Sequence, residues 1–222
     1  MKRTIVALTL LVSVSVVLVV SQASAAPEPS AAQIDWQLGI EYKAPMPFKF
    51  KAPGEDKESL YWFFLFEITN KSDEDQQFLP RIDLFTDTGD LLRANRGVNV
   101  TVFEGIQKLL GEPLLINLPQ ASGKILQGED NAKFIVAIFK DFDPKAGQFD
   151  LFIGGLSGES TTVKLRTPIV VEEENDLGVK KKVTKTTMLL SKTLHLSYRL
   201  NTEAASRMST SCTLLNKKWI MR

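Results

Sequence analysis

The side chains that could serve as nucleophile, base or zinc ligand are few in this sequence. It has one histidine, His195, and one cysteine, Cys212. His195 lies on the polar side of an alternating stretch, and neither G-x-S-x-G nor S-x-x-K occurs in the chain, so a solvated strand histidine is predicted. A zinc site would need two carboxylates in addition to these residues. Cys212 is predicted to be a small buried side chain, with an intermolecular disulfide as the alternative.

Acidic residues cluster in three polar segments, at 73–75, 129–130 and 141–143. Clustered loop carboxylates are ligands that Ca²⁺ prefers, but the EF-hand spacing is absent from all three, which favours solvated turns. Asp141 and Asp143 are the best pair for a weak calcium site, because a D-x-D at a strand end can direct two carboxylates to one ion. A glycosidase-type carboxylate pair stays open, since the sequence offers no motif from which to choose one.

Aromatic side chains could stack on carbohydrate if they were exposed. The aromatics considered are Trp36, Tyr61, Trp62 and Trp219. Trp62 shares one side of a strand with Phe64 and Phe66, so these three are predicted to pack in the core. Trp36 and Trp219 lie nearer the chain ends and are the more plausible surface aromatics.

The first 25 residues have the three parts of a secretory signal peptide. Lys2 and Arg3 form the positive start, residues 5–20 are apolar apart from scattered hydroxyl side chains, and Ala23 and Ala25 bracket a cleavage site. Cleavage is predicted after Ala25. An uncleaved membrane anchor is the alternative, but the apolar stretch is shorter than the roughly 20 residues that span a bilayer.

Composition disfavours several classes of partner and site. The chain has 27 basic and 26 acidic residues, so loss of Lys2 and Arg3 leaves 25 against 26 and a net charge of about −1. Nucleic-acid and anionic-membrane partners need a clustered positive field, which this balance does not suggest. A single cysteine excludes an internal disulfide, a CxxCH haem site and a CxxC pair. No cofactor is predicted.

Period-two alternation runs through most of the mature chain and indicates strands. Residues 60–70 are apolar on both sides and rich in aromatics, which predicts a central strand buried on both faces, with residues 78–88 as its partner. Further strands are predicted at 36–42, 46–50, 133–140, 149–153, 162–166 and 194–200. Residues 214–222 form either a last strand or a docking tail.

One helix is predicted in the mature chain. The apolar residues with helical spacing are Val102, Phe103, Ile106, Leu109 and Leu110. Thr101 and Glu104 match a capping box, and Gly111 with Pro113 provides the stop. We expect this helix to be a lid or crossover on a β domain.

A charged hairpin is predicted at 168–187 around a turn at Asn175–Gly178. Its charged residues are Glu172, Glu173 and Glu174 on one strand and Lys180, Lys181 and Lys182 on the other. The register predicted places Glu173 opposite Lys180, Glu172 opposite Lys181 and Val170 opposite Val183. Opposite charges across a ladder contribute roughly 0.2–1 kcal/mol each and fix register. Because neither face of this polar hairpin can be buried, we expect it to project from the domain. The six charged residues would then contact a partner.

The aromatic run at 61–70, which ends in Thr-Asn, and the strand at 78–89 resemble the opening strand pair of exported bacterial Ig-like domains. Similarity to a family of uncharacterised exported proteins of planctomycete-type bacteria extends over residues 127–131, 139–144, 155–158 and 219–222. The resemblance covers most of the mature chain. Its motifs are structural, so it implies an Ig-like fold and an exported location, and no activity.

These elements predict a mostly β protein: a signal peptide at 1–25, a linker at 26–33, and one antiparallel β-sandwich of Ig-like type at 34–222 with one short helix. The predicted function is that of a non-enzymatic periplasmic or extracellular protein that binds a protein partner, as a scaffold or assembly subunit, or forms a homo-oligomer. No nucleic-acid partner and no membrane span after cleavage are expected. The alternatives are a carbohydrate- or envelope-binding module and an unrecognised hydrolase.

Overall fold

The computed structural model describes residues 27–174, 180–201, 203 and 207–222, with the backbone alone at 173–174. In these residues the fold is mostly β, as predicted. The strands are β1 (Gly39–Tyr42), β2 (Met46–Phe50), β3 (Ser59–Asn70), β4 (Gln76–Phe78), β5 (Arg81–Thr86), β6 (Leu91–Arg93), β7 (Ile116–Asn117), β8 (Gly123–Ile125), β9 (Gly128–Lys140), β10 (Gln148–Gly154), β11 (Ser160–Glu174), β12 (Lys180–Arg199) and β13 (Thr213–Met221). The helices are α1 (Val100–Leu110) and α2 (Leu118–Ala121). The predicted signal peptide and the Asn175–Gly178 turn lie outside the described residues, and no described helix is long and apolar enough to cross a membrane.

Two large sheets carry the fold. In the first sheet, β3 pairs with β1 and β2 on one side and with β9 on the other, and β7 joins β9 in parallel. The second sheet has the order β11-β12-β10-β5-β6, with β13 also paired to β12. The prediction that residues 78–88 pair with the aromatic strand is wrong, because β5 lies in the second sheet between β10 and β6. Alternation reports which side of a strand is buried and leaves the choice of partner strand open.

The central strand β3 is buried on both faces, as predicted. Trp62, Phe64 and Phe66 are fully buried in a core shared by the two large sheets. Phe63 and Leu65 point to the opposite face and pack against α1 and β9 in a second core. The protein is therefore layered as helix, first sheet and second sheet.

Helix α1 covers the outer face of the first sheet through Val102, Phe103 and Ile106. Its cap is Asn99, whose side chain accepts a hydrogen bond from the Thr101 amide, so the predicted Thr101–Glu104 capping box is wrong. Gly111 ends the helix with φ 66°, as its sequence position indicates. Leu109, expected on the buried stripe, is 60% exposed.

Three further features differ from the sequence-based prediction. A second short helix, α2, follows β7 and is closed by a capping box between Asn117 and Gln120. The predicted strand at 162–166 and the first strand of the hairpin form one strand, β11, with a register shift between Lys164 and Ile169. The second hairpin strand likewise continues through residue 199 as β12, which is exposed in its first half and buried in its second.

Candidate partner-binding site

Strand β12 changes its neighbours along its length. Residues Leu194–Arg199 lie between β10 and β13, inside the second sheet. On the β13 side the last backbone partner is Arg222, which exchanges hydrogen bonds of 2.9 and 3.1 Å with Ser191. From there outward, β12 pairs in the described residues with β11 alone. We call this two-stranded extension, formed by residues 162–174 and 180–190, the arm.

The predicted charged residues all lie at the outer end of the arm. Glu172 is opposite Lys182, Glu173 opposite Lys181 and Glu174 opposite Lys180. The hairpin is therefore present, but its predicted register is wrong by one residue. Glu174 and Lys180 are the outermost described pair of the ladder. Glutamate still lies opposite lysine in the observed register, because the glutamate run and the lysine run are each three residues long.

Between this charged end and the body of the protein, the arm carries exposed apolar side chains. Val170 and Leu189 are 64% and 65% exposed. Ile169 and Met188 are exposed to a lesser extent. We call these four residues the apolar band. Sequence reasoning missed the band, although the apolar runs 169–171 and 188–190 in a polar ribbon are the signal that could have indicated it.

A buried ion pair holds the base of the arm. Lys192 Nζ lies 2.8 Å from Glu159 Oε2, and the two side chains are 6% and 5% exposed. The Lys192 amide also donates to the Glu159 carbonyl at 2.9 Å, and the Ser30 amide donates to Glu159 Oε1 at 2.7 Å. The hydrogen bonds from Lys192 and Ser30 hold the pKa of Glu159 below its usual range. Because a buried charge is strongly destabilising without its partner, this pair fixes where the arm leaves the sheet.

His195 belongs to a cluster on the outer face of the second sheet. Its Nε2 atom lies 2.9 Å from Asp150 Oδ1 and 3.3 Å from the Ser197 hydroxyl oxygen, which donates to Asp150 at 2.5 Å. Its ring stacks on Phe152 at 4.7 Å, and its side chain is 13% exposed. The predicted solvated histidine is thus wrong, because the side chains of Phe152 and Asp150 on the neighbouring strand β10 contact its ring.

The cluster contains serine, histidine and aspartate, but its geometry differs from that of a hydrolase triad. In a triad, one imidazole nitrogen faces the serine and the other is held by the carboxylate. Here Nε2 faces both groups, and the serine hydroxyl already donates to Asp150. The hydroxyl proton is therefore committed to the carboxylate, so the arrangement serves cross-strand packing better than nucleophile activation.

Asp83 lies in the same outer face and is surrounded by three arginines. Its carboxylate accepts hydrogen bonds from Arg81 Nε and Arg93 Nε at 3.2 Å and from an Arg222 terminal nitrogen at 3.1 Å, and its side chain is 3% exposed. Burial raises the pKa of Asp83, but the hydrogen bond from Arg93 and the three positive charges outweigh burial and hold the pKa below its usual range.

The acidic segments singled out in the sequence bind neighbouring protein groups. Asp75 pairs with Lys124 at 2.9 Å, and that contact lowers the pKa of Asp75. Asp141 accepts a hydrogen bond from the Trp62 indole at 3.1 Å. Asp143 accepts one from the Lys145 backbone amide at 2.8 Å. Within the described ranges no group of three or more histidine, cysteine or acidic side chains could hold a metal ion.

The remaining predicted residues fall inside or against the core. Tyr61 and Trp62 are buried, and Trp36 and Trp219 are half-buried against the core, so neither set forms an exposed aromatic row. Cys212 is buried, as predicted, and burial raises the pKa of its thiol to about 12. Comparisons with protein-family models, with curated proteins and with solved structures find no match. The resemblance to exported Ig-like proteins therefore stays a prediction.

Proposed function

We propose that this chain is a non-enzymatic exported β-sandwich protein of Ig-like type that binds a protein partner through its arm, in the periplasm or outside the cell. The observation that carries the proposal is the arm itself, which exposes an apolar band and two strand edges beyond the sheet. A residue in a strand spans about 3.3 Å, so the arm is roughly 35 Å long. Open edges and exposed apolar side chains together favour pairing with another chain.

The composition of the arm matches that of a protein interface. The apolar band lies between the body of the protein and the charged end formed by residues 172–174 and 180–182. Protein interfaces commonly combine an apolar centre with a polar rim, and charge at the rim sets orientation and partner choice. The buried Glu159–Lys192 pair at the base supplies a fixed point from which the arm can be presented.

The two alternative functions have weaker structural support. A carbohydrate-binding module needs a row of exposed aromatic side chains, whereas the tryptophans and tyrosines in the described residues are buried or half-buried and Phe85 is an isolated exposed ring. For a hydrolase, the strongest group is the Asp150–His195–Ser197 cluster, and its single-nitrogen geometry does not activate the serine. The first observation disfavours carbohydrate binding, and the second disfavours a serine hydrolase.

The proposal is tested by reversing charge at the end of the arm. A variant carrying Lys180→Glu, Lys181→Glu and Lys182→Glu should melt close to the wild-type temperature, because exposed ion pairs contribute at most about 1 kcal/mol. It should lose a stoichiometric partner that co-purifies with the wild-type protein at low salt, where charge effects are largest. The matched control is Lys49→Glu, Lys51→Glu and Lys57→Glu, which makes the same charge change at exposed positions away from the arm.

A second copy of the chain is also a protein partner of this kind, because glutamates on one strand and lysines on the other are self-complementary. Sedimentation velocity of the purified protein over a range of concentrations separates self-association from binding of a different chain. Wild-type protein that neither self-associates nor retains a stoichiometric partner, or an arm variant that retains its partner as well as the control does, would refute the proposal.

A further inference from the structure

Two adjoining clefts lie beside the turn that follows β6. The first, of about 230 Å³, is lined by Asp83, Leu91, Leu92, Arg93, Arg96 and Lys140. The second, of about 420 Å³, shares Arg93 and Arg96 and adds Arg81 and Ser122 among its polar residues. Asp83 in the first cleft is the one carboxylate among the lining residues, and the second cleft has none. The clefts are therefore strongly basic on a protein whose overall charge is close to neutral.

The arginines of these clefts are held in place with hydrogen-bonding capacity to spare. Arg81 and Arg93 both bind Asp83 through Nε, and no other described residue is in hydrogen-bond contact with their terminal nitrogens. The side chains of Arg96 and Lys140 form no ion pair with any described residue. Several unpaired donors therefore face the same concave surface.

The turn that follows Arg93 and carries Arg96 is hydrogen-bonded to both large sheets. Asn95 has φ 60°, in the left-handed region that residues other than glycine seldom adopt. Its amide donates to the Ile138 carbonyl at 2.6 Å, and its side-chain oxygen accepts from the Ile138 amide at 3.1 Å. The Ala94 amide donates to Ile82 at 2.9 Å. These hydrogen bonds hold the turn between β5 and β9.

We propose that Arg81, Arg93, Arg96 and Lys140 form a binding site for an oxyanion group, namely a phosphate or sulfate ester. Arginine presents planar pairs of donors that match the oxygens of such groups. Asp83 binds the Nε edges of Arg81 and Arg93, whose side chains are 66% and 48% exposed, so their terminal nitrogens are left for a ligand. A bound anion would also offset the positive charges of Arg96 and Lys140, which form no ion pair with the described residues. The site is separate from the arm and stands independently of the proposed function.

Isothermal titration of the full mature protein tests the site, with sodium phosphate and sodium sulfate as probes against sodium chloride at matched ionic strength. Both probes should bind saturably, and the stronger of the two identifies the ester. Arg96→Gln and Lys140→Gln should each weaken binding about tenfold or more, because hydrogen bonds to charged groups are among the strong ones. Neither residue contacts Asp83, so both variants should fold as the wild type does. Arg199→Gln is the matched control, since this exposed arginine lies in the same sheet and outside both clefts.

NMR spectroscopy of the wild-type protein provides a second measurement that does not depend on the variants. In the wild-type protein, the Nε–H resonance of Arg93 should shift during the phosphate or sulfate titration, while that of Arg199 should not. Absence of saturable binding by either probe, or an equal loss of affinity in Arg199→Gln, would overturn the proposal. Unchanged affinity in both Arg96→Gln and Lys140→Gln would overturn it as well.

Discussion

Phe64 illustrates what a single side chain contributes to this fold. It is completely buried between the two large sheets, where its ring stacks on Phe66 at 5.4 Å and lies 5.9 Å from that of Tyr42. Phe64→Ala should lower the free energy of unfolding by about 3–5 kcal/mol, because it removes a buried ring and leaves a cavity. Urea denaturation measures the loss.

Phe85→Ala is the control for this prediction. It makes the same truncation on the outer face of β5, where Phe85 is exposed. Such surface changes alter stability by about 0.5 kcal/mol. If Phe64→Ala were as stable as Phe85→Ala, the assignment of β3 to the core would be contradicted.

Asp83 makes stability depend on pH in a predictable direction. Its pKa is depressed in the folded protein, so its stabilising contribution is present above the ordinary carboxyl value and is lost as the pH falls through the folded-state value. Asp83→Asn should lower the free energy of unfolding by about 1–3 kcal/mol at neutral pH, since it weakens charge-assisted hydrogen bonds from three arginines. The difference between wild type and variant should shrink as the pH falls below about 4.

Denaturant unfolding of both proteins at a series of pH values measures this dependence. Asp56→Asn is the control, because Asp56 is exposed and has no hydrogen bond or ion pair with the described residues. A difference between wild type and Asp83→Asn that stayed constant down to acidic pH would show that the carboxylate charge of Asp83 does not stabilise the fold.

At the scale of elements, the arm is expected to be dispensable for folding. Its described side chains from Thr162 to Leu189 are exposed or half-buried, and none belongs to either core. Replacing residues 164–187 by Asn-Gly would join Val163 to Met188, which face each other in the ladder, through a two-residue hairpin turn. The melting temperature of this shortened protein should lie within a few degrees of the wild-type value.

Differential scanning calorimetry of the two proteins checks this expectation. The shortened protein should also lose the partner that the charge-reversed variant loses, while it retains phosphate or sulfate binding at the basic clefts. A large drop in melting temperature would show instead that the arm is part of the folding unit.

At the scale of the whole molecule, the sequence predicts export with cleavage after Ala25. The intact mass of the exported protein should correspond to a chain that begins at Ala26. This position would place the new amino terminus a few residues before Ser30, which is bonded to Glu159 at the base of the arm. Recovery of an exported species that retains residues 1–25 would contradict the prediction.

The sequence alone determined the features that depend on neighbouring residues. Alternation and two-sided apolarity identified β3, β9 and β10, because the period of a strand decides which side chains share a face. Gly111 marked the end of α1, because glycine readily adopts the left-handed conformation that closes a helix. The charged strand pair was also predictable, but its register was not, since runs of like residues fit opposite one another in more than one register.

The tertiary structure decided which distant residues meet. Asp83, Arg93 and Arg222 are brought together by the order of strands in the second sheet, and that order leaves no periodic signal in the sequence. His195 contacts Asp150 for the same reason. Arg207 lies outside every strand and helix predicted from the sequence, yet its guanidinium is buried over the Phe142 ring and donates to the carbonyls of Pro144 and Ala146. Periodicity reports local burial, whereas such contacts depend on how the sheets pair and pack, and only the folded chain establishes them.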